Sequence, residues 1–248
     1  MVALGAFTVI VMLVLILLFT RWIKSGREIH LRPIPALDDL PNLVNQAVES
    51  GQQIHVSIGT GGITGTTTAA TLAGLAVLEH IAEQGSAAGA PPMVTVADPM
   101  VLPAAQDRLR QAFARAGRPK EYRSTQVEII APQPSVYALG AATRLDATET
   151  SANVMIGAFG QEALLLAEPG AQRGITQTGG TDAPQAMGLL YAASDSPIIG
   201  EEIFAIPAYL DRKPAHLASL RAQDVMRIGV VALIIIAALL RTIGISLF

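Results

Sequence analysis

The sequence predicts an α/β domain with a largely parallel, Rossmann-like sheet, flanked by an N-terminal and a C-terminal transmembrane helix. Three observations predict this fold class. Uncharged apolar runs open and close the chain. Between them, short β-type runs alternate with helical segments, an order that favours parallel βαβ units. The composition agrees, because 51% of the 248 residues are hydrophobic and only 15% are charged, which is more apolar than an average soluble domain.

The first apolar run predicts a transmembrane anchor over residues 1–24. No charged side chain occurs from Val2 to Thr20, and a helix of this length, at about 1.5 Å per residue, nearly crosses a hydrocarbon layer of about 30 Å. A cleaved signal peptide needs a basic segment before its apolar run, whereas here Arg21 and Lys24 follow it. The run is therefore expected to be a retained helix.

The last apolar run predicts a second transmembrane helix over residues 221–248. Residues 228–240 are apolar, Arg241 interrupts them, and uncharged residues continue to Phe248. Two solutions stay open for Arg241: its side chain reaches the far headgroups, or it faces protein inside an oligomeric bundle. An interfacial helix is the alternative, although it needs a polar face that this segment nearly lacks.

Basic residues beside the anchors predict the orientation of the chain. They concentrate on the inner flanks of both anchors, at Arg21, Lys24, Arg27, Arg32, Arg212, Lys213, Arg221 and Arg227. The opposite side has only Arg241. Because cytoplasmic flanks are enriched in lysine and arginine, the sequence predicts a cell-membrane protein with two spans, outside termini and a cytoplasmic central domain.

Residues 25–50 predict a connector and a short helix, and the α/β domain follows over residues 51–220. In the connector, apolar residues recur at helical spacing, at Leu40, Leu43, Val44 and Ala47. In the domain, strands are expected over 54–58, 93–97, 127–131 and 153–158, with 162–167 as a further strand. Helices are expected over 66–84, 103–116, 135–145 and 185–193. The uncharged stretch 56–78 has a rival interpretation as a third membrane span, against which its glycine and threonine residues argue.

A glycine-rich loop follows the first predicted strand and precedes a helix, which is the position of a phosphate-binding loop. The spacing Gly59-x-Gly61-Gly62-x-x-Gly65 does not match the dinucleotide fingerprint, which needs glycine where Thr64 stands. The Walker pattern needs Gly-Lys-Ser/Thr, which is also missing. A ligand site and a tight turn, with positive φ at Gly61 and Gly62, therefore both stay open.

Other candidate residues follow the later strands. Asp98 ends the second strand, where Rossmann domains place a ribose-binding acid, and a cap of the next helix is the alternative. Residues 157–160 follow the fourth strand, and 177–182 are expected in the next loop. Loops at the carboxyl ends of parallel strands converge, so one crevice is expected to be lined by Gly59, Thr60, Gly61, Gly62, Gly65, Asp98, Gly157, Gly160, Thr178 and Gly179.

The composition narrows the possible functions. The chain has no cysteine, which excludes disulfides, thiol nucleophiles and thiolate metal sites. A net charge of −3 argues against nucleic-acid binding, because phosphates demand an excess of positive charge. The four histidines are scattered, and no catalytic or metal-binding residue set and no cofactor is predicted. The sequence thus points away from an enzyme without excluding one.

The leading functional expectation is a structural or organisational role in the membrane, with homo-oligomers or the subunits of a membrane complex as partners beside the lipid bilayer. It depends on the small-residue helix over 66–84 and on Arg241, since small residues and buried arginines both suit helix packing in membranes. The alternative is a membrane-tethered sensor or binding domain that holds a nucleotide or another small anion in the glycine-rich crevice.

Four strings carry a resemblance to a known family: HVSIGTGGITGTTTAATLAGLAVLEHIAEQ from His55, VTVADPMVLPAAQDRLRQAFARAGRP from Val94, NVMIGAFGQEALLLAE from Asn153 and SPIIGEEIFA from Ser196. Through them, most of residues 54–210 resembles an uncharacterised family of predicted prokaryotic membrane proteins carrying a domain of unknown function. The resemblance implies no activity, no cofactor and no catalytic residue.

Overall fold

The computed structural model describes residues 2–26, 29 and 31–242. The chain divides into two compact units. One is Arg32–Leu210, and the other joins Met1–Leu31 with Asp211–Phe248.

The unit Arg32–Leu210 alternates strands and helices, which confirms the predicted α/β class. In chain order its elements are α2 (Pro35–Asp38), α3 (Leu40–Ser50), β1 (Gln53–Gly59), α4 (Thr68–Ala88), β2 (Met93–Val96), α5 (Val101–Arg115), β3 (Val127–Ile129), α6 (Pro134–Ala147), β4 (Thr150–Ala158), α7 (Ala163–Gln172), β5 (Thr176–Thr181), α8 (Pro184–Ala193), β6 (Ser196–Ile199) and α9 (Glu202–Asp211). Two short 3₁₀ turns, Pro119–Glu121 and Ser124–Gln126, precede β3.

The six strands form one sheet in the order β3-β2-β1-β4-β5-β6, and all neighbouring strands are parallel. The order reverses between β1 and β4, because β2 lies on one side of β1 and β4 on the other. In open parallel sheets, the carboxyl ends of the strands at such a reversal leave a crevice in which ligands bind. The fold thus puts the loops after β1 and β4 at the position where a site is expected.

The two faces of the sheet differ in polarity. Along β1, Ile54, Val56 and Ile58 point to one face and join an apolar core. The alternate residues His55 and Ser57 are also fully buried, but they point to the opposite face, because side chains alternate along a strand. That second face is covered by the smaller apolar cluster, which includes residues of α6, α7 and α8.

Helix α4 has small residues where it packs closely against the sheet. At Gly74, a Cβ atom would lie 2.2 Å from the carbonyl oxygen of Ile156 in β4, so only glycine permits this approach. Residues 56–78 therefore form β1, its loop and a buried helix of a folded domain, rather than a third membrane span.

Three local predictions are wrong. Residues 162–167 were expected as a strand, but 163–167 begin helix α7, because their apolar run suits a buried helix as well as a strand. Residues 177–182 were expected as a loop, but 176–181 form β5. The short strand β6 and helix α9 were not predicted. The missed strands are short or glycine-rich, and such segments carry little of the β-branched signal that marks a strand.

The second unit contains two long helices, α1 (Val2–Lys24) and α10 (Pro214–Thr242). The stretches Gly5–Lys24 and Pro214–Thr242 are both long and apolar enough to cross a membrane. Residues 214–220, which the sequence analysis places in the α/β domain, belong to α10. The tail 243–248 lies outside the described residues.

Helices α1 and α10 pack against each other along two grooves. One groove, with a volume of about 600 Å³, is lined by residues that include Met12 and Ile16 of α1 and Gln223 and Arg227 of α10. The polar segment that precedes the apolar run of α10 therefore lies beside the middle of α1.

Candidate functional site

The glycine-rich loop lies at the carboxyl end of β1, as predicted, and its first glycine ends the strand with φ of 85°. Gly65 also has positive φ, while a Cβ there would meet open space. These two glycines serve the backbone conformation, which other residues rarely adopt.

Gly61 and Gly62 are needed for close packing. The prediction of positive φ at these two positions is wrong, because in this loop only Gly59 and Gly65 have positive φ. A Cβ on Gly61 would lie 2.6 Å from the Cβ of Ala158 in β4, so this glycine lets the loop reach the neighbouring strand. A Cβ on Gly62 would lie 2.7 Å from Asp98 Oδ2. Gly62 thus brings the loop after β1 against a carboxylate that follows β2.

Asp98 holds the turn before α5 with one carboxylate oxygen and faces the glycine-rich loop with the other. Its Oδ1 accepts a hydrogen bond from the backbone N–H of Met100 at 2.6 Å, which fixes the carboxylate just before α5. Its Oδ2 faces Gly62, and no hydrogen-bond partner for this atom occurs in the part of the chain that the structure describes. This local hydrogen bond orients one oxygen and leaves the other beside the glycine-rich loop.

The end of β4 has an irregular backbone. Ser57 pairs with Met155 and Gly59 pairs with Ala158, so β4 contains one residue more than β1 over this interval. Such β-bulges redirect a strand and are frequent beside active sites. Gly157 lies in the bulge, where a Cβ would be 1.9 Å from the carbonyl oxygen of Ile58. Gly157 therefore holds β4 close to β1 and does not face the crevice.

Glu162, which the sequence analysis did not select, joins the ends of β1 and β4. Its Oε1 accepts hydrogen bonds from the backbone N–H of Gly160 at 2.8 Å and from the Thr60 hydroxyl at 3.3 Å. The Thr60 backbone N–H also reaches across, donating to the carbonyl oxygen of Ala158 at 2.8 Å. Thr60 and Gly160 thus meet at one acidic side chain, although the Thr60 hydroxyl also lies 3.3 Å from the carbonyl oxygen of Ala158.

Thr178 and Gly179 do not line the crevice. Both are buried inside β5, where a Cβ on Gly179 would lie 2.3 Å from Ser194 Oγ. Two sets of contacts therefore remain at the predicted position: Gly62 against Asp98, and Thr60 and Gly160 against Glu162.

A buried chain of polar side chains crosses the second face of the sheet below the crevice. His55 Nδ1 lies 2.8 Å from Asn153 Oδ1, and His55 Nε2 lies 2.9 Å from the Thr95 hydroxyl. Asn153 Nδ2 donates to Gln177 Oε1 at 3.0 Å. Gln177 Nε2 then donates to two backbone carbonyl oxygens, at 2.9 and 3.0 Å. Each buried side chain in this series has partners, as buried polar groups require.

The directions of these hydrogen bonds determine the tautomer of the His55 imidazole. Backbone carbonyls can only accept, so the amide nitrogen of Gln177 faces them and its Oε1 accepts from Asn153. Asn153 Oδ1 is then left to accept from His55, so Nδ1 carries the proton and Nε2 accepts from the Thr95 hydroxyl. Burial lowers the pKa of His55 to about 4, although the hydrogen bond to Asn153 raises it. The ring is therefore neutral at pH 7.

Tyr137 closes this chain toward the crevice. Its hydroxyl lies 2.6 Å from Ser57 Oγ and donates to the carbonyl oxygen of Thr95 at 3.0 Å. Burial raises the pKa of Tyr137, while hydrogen bonds from Ser57, Thr95 and the backbone of Gly59 act in the opposite direction. A fully buried, neutral phenol in this position ties β1 and β2 together beneath the glycine-rich loop. It is not exposed to a substrate.

The charge of the crevice is negative. The loops that follow β1, β2, β4 and β5 contain Asp98, Glu162 and Asp182 but neither lysine nor arginine. Within residues 2–26, 29 and 31–242, no group of three or more His, Cys, Asp or Glu side chains is placed to hold a metal ion. The crevice therefore offers carboxylate and hydroxyl oxygens together with backbone groups.

One family model matches almost the whole chain. It is described as a domain of unknown function (DUF6754), and the match covers residues 3–248. This confirms the resemblance noted in the sequence. No curated protein and no solved structure matches the chain.

Proposed function

Because the chain belongs to the DUF6754 family, whose function is unknown, we infer its function from the site itself. We propose that it is a membrane-attached binding domain for a small ligand with vicinal hydroxyl groups, such as the ribose of a nucleoside or nucleotide. The single observation that carries the proposal is the carboxylate of Asp98, placed after β2 and against Gly62 at the reversal of strand order.

This arrangement has a physical rationale. A carboxylate oriented by one backbone N–H can accept two hydroxyl protons from a diol, and charged acceptors make the stronger hydrogen bonds. Rossmann domains hold ribose with an acid at the end of β2. That comparison is an analogy at the level of the fold, and a fold alone does not specify a function. The argument therefore depends on the free Oδ2 of Asp98 and on the glycine that brings the loop to it.

Calorimetry and thermal shift on the full chain in detergent test the proposal, with adenosine, AMP and NAD as ribose probes and 2′,3′-dideoxyadenosine as the probe without a diol. We expect binding by at least one ribose probe and none by the dideoxy compound. Asp98→Asn should weaken binding at least tenfold, about 1.4 kcal/mol, while its amide oxygen still accepts from Met100. Asp38→Asn, at an exposed position of α2, is the matched control. Equal affinity in Asp98→Asn, or no binding by any ribose probe, would refute the proposal.

We also propose that α1 and α10 span the cell membrane and that the α/β domain faces the cytoplasm. The two apolar stretches support the spans, and the lysines and arginines on their inner flanks support the orientation. Because the chain lacks cysteine, single-cysteine variants are a clean test. Ser25→Cys should react with a membrane-impermeant maleimide in inside-out vesicles only. Reaction from the other face would contradict this topology.

Assembly of several copies is a second candidate function, and one observation favours it. The helices α6, α7 and α8 expose large apolar side chains, including Val136, Leu139 and Tyr191. Isolated exposed apolar residues are ordinary, but a shared patch marks an interaction surface. The small residues of α4 give no support, because they pack against the sheet. Native mass spectrometry that finds only monomers, in the wild type as in Leu139→Glu, would exclude assembly.

A further inference from the structure

Glu162 accepts hydrogen bonds from donors of the kind that bind phosphate in nucleotide-binding crevices. In such sites, backbone N–H groups at the end of a strand and the start of a helix donate to the phosphate. Here the N–H of Gly160 and the hydroxyl of Thr60 both donate to Glu162 Oε1, at 2.8 and 3.3 Å. An anion that belongs to the chain itself thus bridges β1 and β4, the two strands at which the order reverses.

Two backbone donors of the glycine-rich loop are also used within the domain. The N–H of Thr60 donates to the carbonyl oxygen of Ala158 at 2.8 Å, and the N–H of Gly62 donates to the Thr67 hydroxyl at 3.3 Å. A phosphate would have to break these hydrogen bonds and then replace them. The loop therefore uses part of its donors for its own packing.

Charge repulsion also disfavours a phosphate at this position. A phosphate beside Glu162 would place two negative charges within a few ångströms, with no lysine or arginine in the loops after β1, β2, β4 or β5. Like charges near a protein surface repel by roughly 1–4 kcal/mol at about 4 Å. Such repulsion is a common way to reject an unwanted ligand.

From these three observations we propose that the crevice selects nucleosides over nucleotides. Its ligand carries ribose but no phosphate and is neutral or cationic, and Glu162 is the residue that rejects the phosphorylated form. The inference rests on the proposed function, in which Asp98 binds the ribose. It differs from the sequence-based alternative, which expects a nucleotide or another small anion at this loop.

The test compares dissociation constants of the full chain in detergent for adenosine, AMP, ADP and the cationic 5′-amino-5′-deoxyadenosine. The wild type should prefer adenosine over AMP at least tenfold, and the cationic compound should bind at least as tightly as adenosine. Glu162→Gln should reduce the preference for adenosine over AMP to less than threefold, because the amide oxygen keeps both hydrogen bonds and loses only the charge. Glu168→Gln, an exposed position on α7, should keep the wild-type preference.

The outcomes separate the two proposals. If AMP or ADP binds the wild type as tightly as adenosine does, the selectivity proposal is overturned while the ribose site stands. If Glu162→Gln keeps the full preference, Glu162 is not the selecting residue. If none of the four compounds binds, both proposals fail. The wild-type comparison decides the matter by itself should Glu162→Gln not fold.

Discussion

Acidification should weaken the fold through His55, and replacing His55 by glutamine should remove most of that effect. The imidazole is fully buried in the polar chain beneath the sheet, and burial lowers its pKa from 6.5 to about 4. As the pH falls through 6.5, the unfolded chain takes up a proton at this residue, while the folded chain does so only near pH 4. The unfolded state therefore binds more protons in this interval, and the free energy of unfolding falls.

The size of the effect follows from the two pKa values. One pKa unit corresponds to about 1.4 kcal/mol, so the shift of His55 from 6.5 to about 4 is equivalent to about 3 kcal/mol. That contribution is fully present above pH 6.5 and is lost as the pH approaches 4. Between about pH 7.5 and about pH 4.5 the loss should be about 2.5 kcal/mol.

Glutamine is the suitable replacement because it reproduces the hydrogen-bond pattern without a titratable group. Its amide nitrogen can donate to Asn153 and its amide oxygen can accept from Thr95, as Nδ1 and Nε2 of His55 do. Carboxylates elsewhere titrate at low pH in both proteins, so the difference between wild type and variant isolates the imidazole.

The assay is urea unfolding of the full chain in detergent, followed by circular dichroism at several pH values. Wild type should lose about 2.5 kcal/mol more than His55→Gln between about pH 7.5 and about pH 4.5. Nitrogen-15 NMR of the imidazole should show the proton on Nδ1 throughout. Equal losses in the two proteins, or a proton on Nε2, would refute the reasoning about this network.

Three further substitutions, one of them with a control variant, test the packing and the ion pairs of the domain. Gly74→Ala should destabilise by about 1–3 kcal/mol, because its Cβ would lie 2.2 Å from a backbone carbonyl oxygen; Gly188→Ala, in a helix with open space, should instead stabilise by up to about 1 kcal/mol. Gly61→Ala should cost about 1–3 kcal/mol with or without ligand, and unchanged thermal unfolding would contradict the packing role. Glu79→Gln should cost about 0.5–1 kcal/mol, since Glu79 pairs with Arg108 and Arg115, and high salt should reduce the difference.

The regular spacing of apolar residues made most of the strands and helices predictable from the sequence. Strong β-type runs such as the one that begins at Ile54 have period two, and helix α3 shows its buried residues at helical spacing. The order of strands and helices then leaves few topologies, because parallel crossovers are right-handed. The sequence could not separate a buried helix from a buried strand at Ala163, where every residue of a short run is apolar. β5 was missed because Gly179 and Gly180 remove the side chains that mark a strand.

The site was predictable in its place but not in its chemistry. The loop at Gly59 and the acid at Asp98 follow strands, so the topology of the sheet brings them together whatever their partners are. The structural roles of the glycines depend on residues that are far away in the sequence. Gly61 must lack a side chain because Ala158 of β4 lies against it, and Gly157 because the carbonyl oxygen of Ile58 in β1 does. Contacts between residues that far apart in the chain leave no periodic signal in the sequence.

The negative charge of Glu162 changes which ligands the glycine-rich loop is expected to bind. In the sequence, a glycine-rich loop before a helix suggests an anion site, because free N–H groups and the helix dipole favour negative charge. That inference assumes that the donors are free, whereas the Thr60 N–H donates to the carbonyl oxygen of Ala158, and the carboxylate of Glu162 lies at the Thr60 hydroxyl and at the N–H of Gly160 after β4. A domain that supplies its own anion at this point keeps the strand ends together without a ligand. Under the proposed function Asp98 is the acceptor for hydroxyl groups, and the proposal therefore predicts a ligand without phosphate at a fold that elsewhere accommodates phosphates.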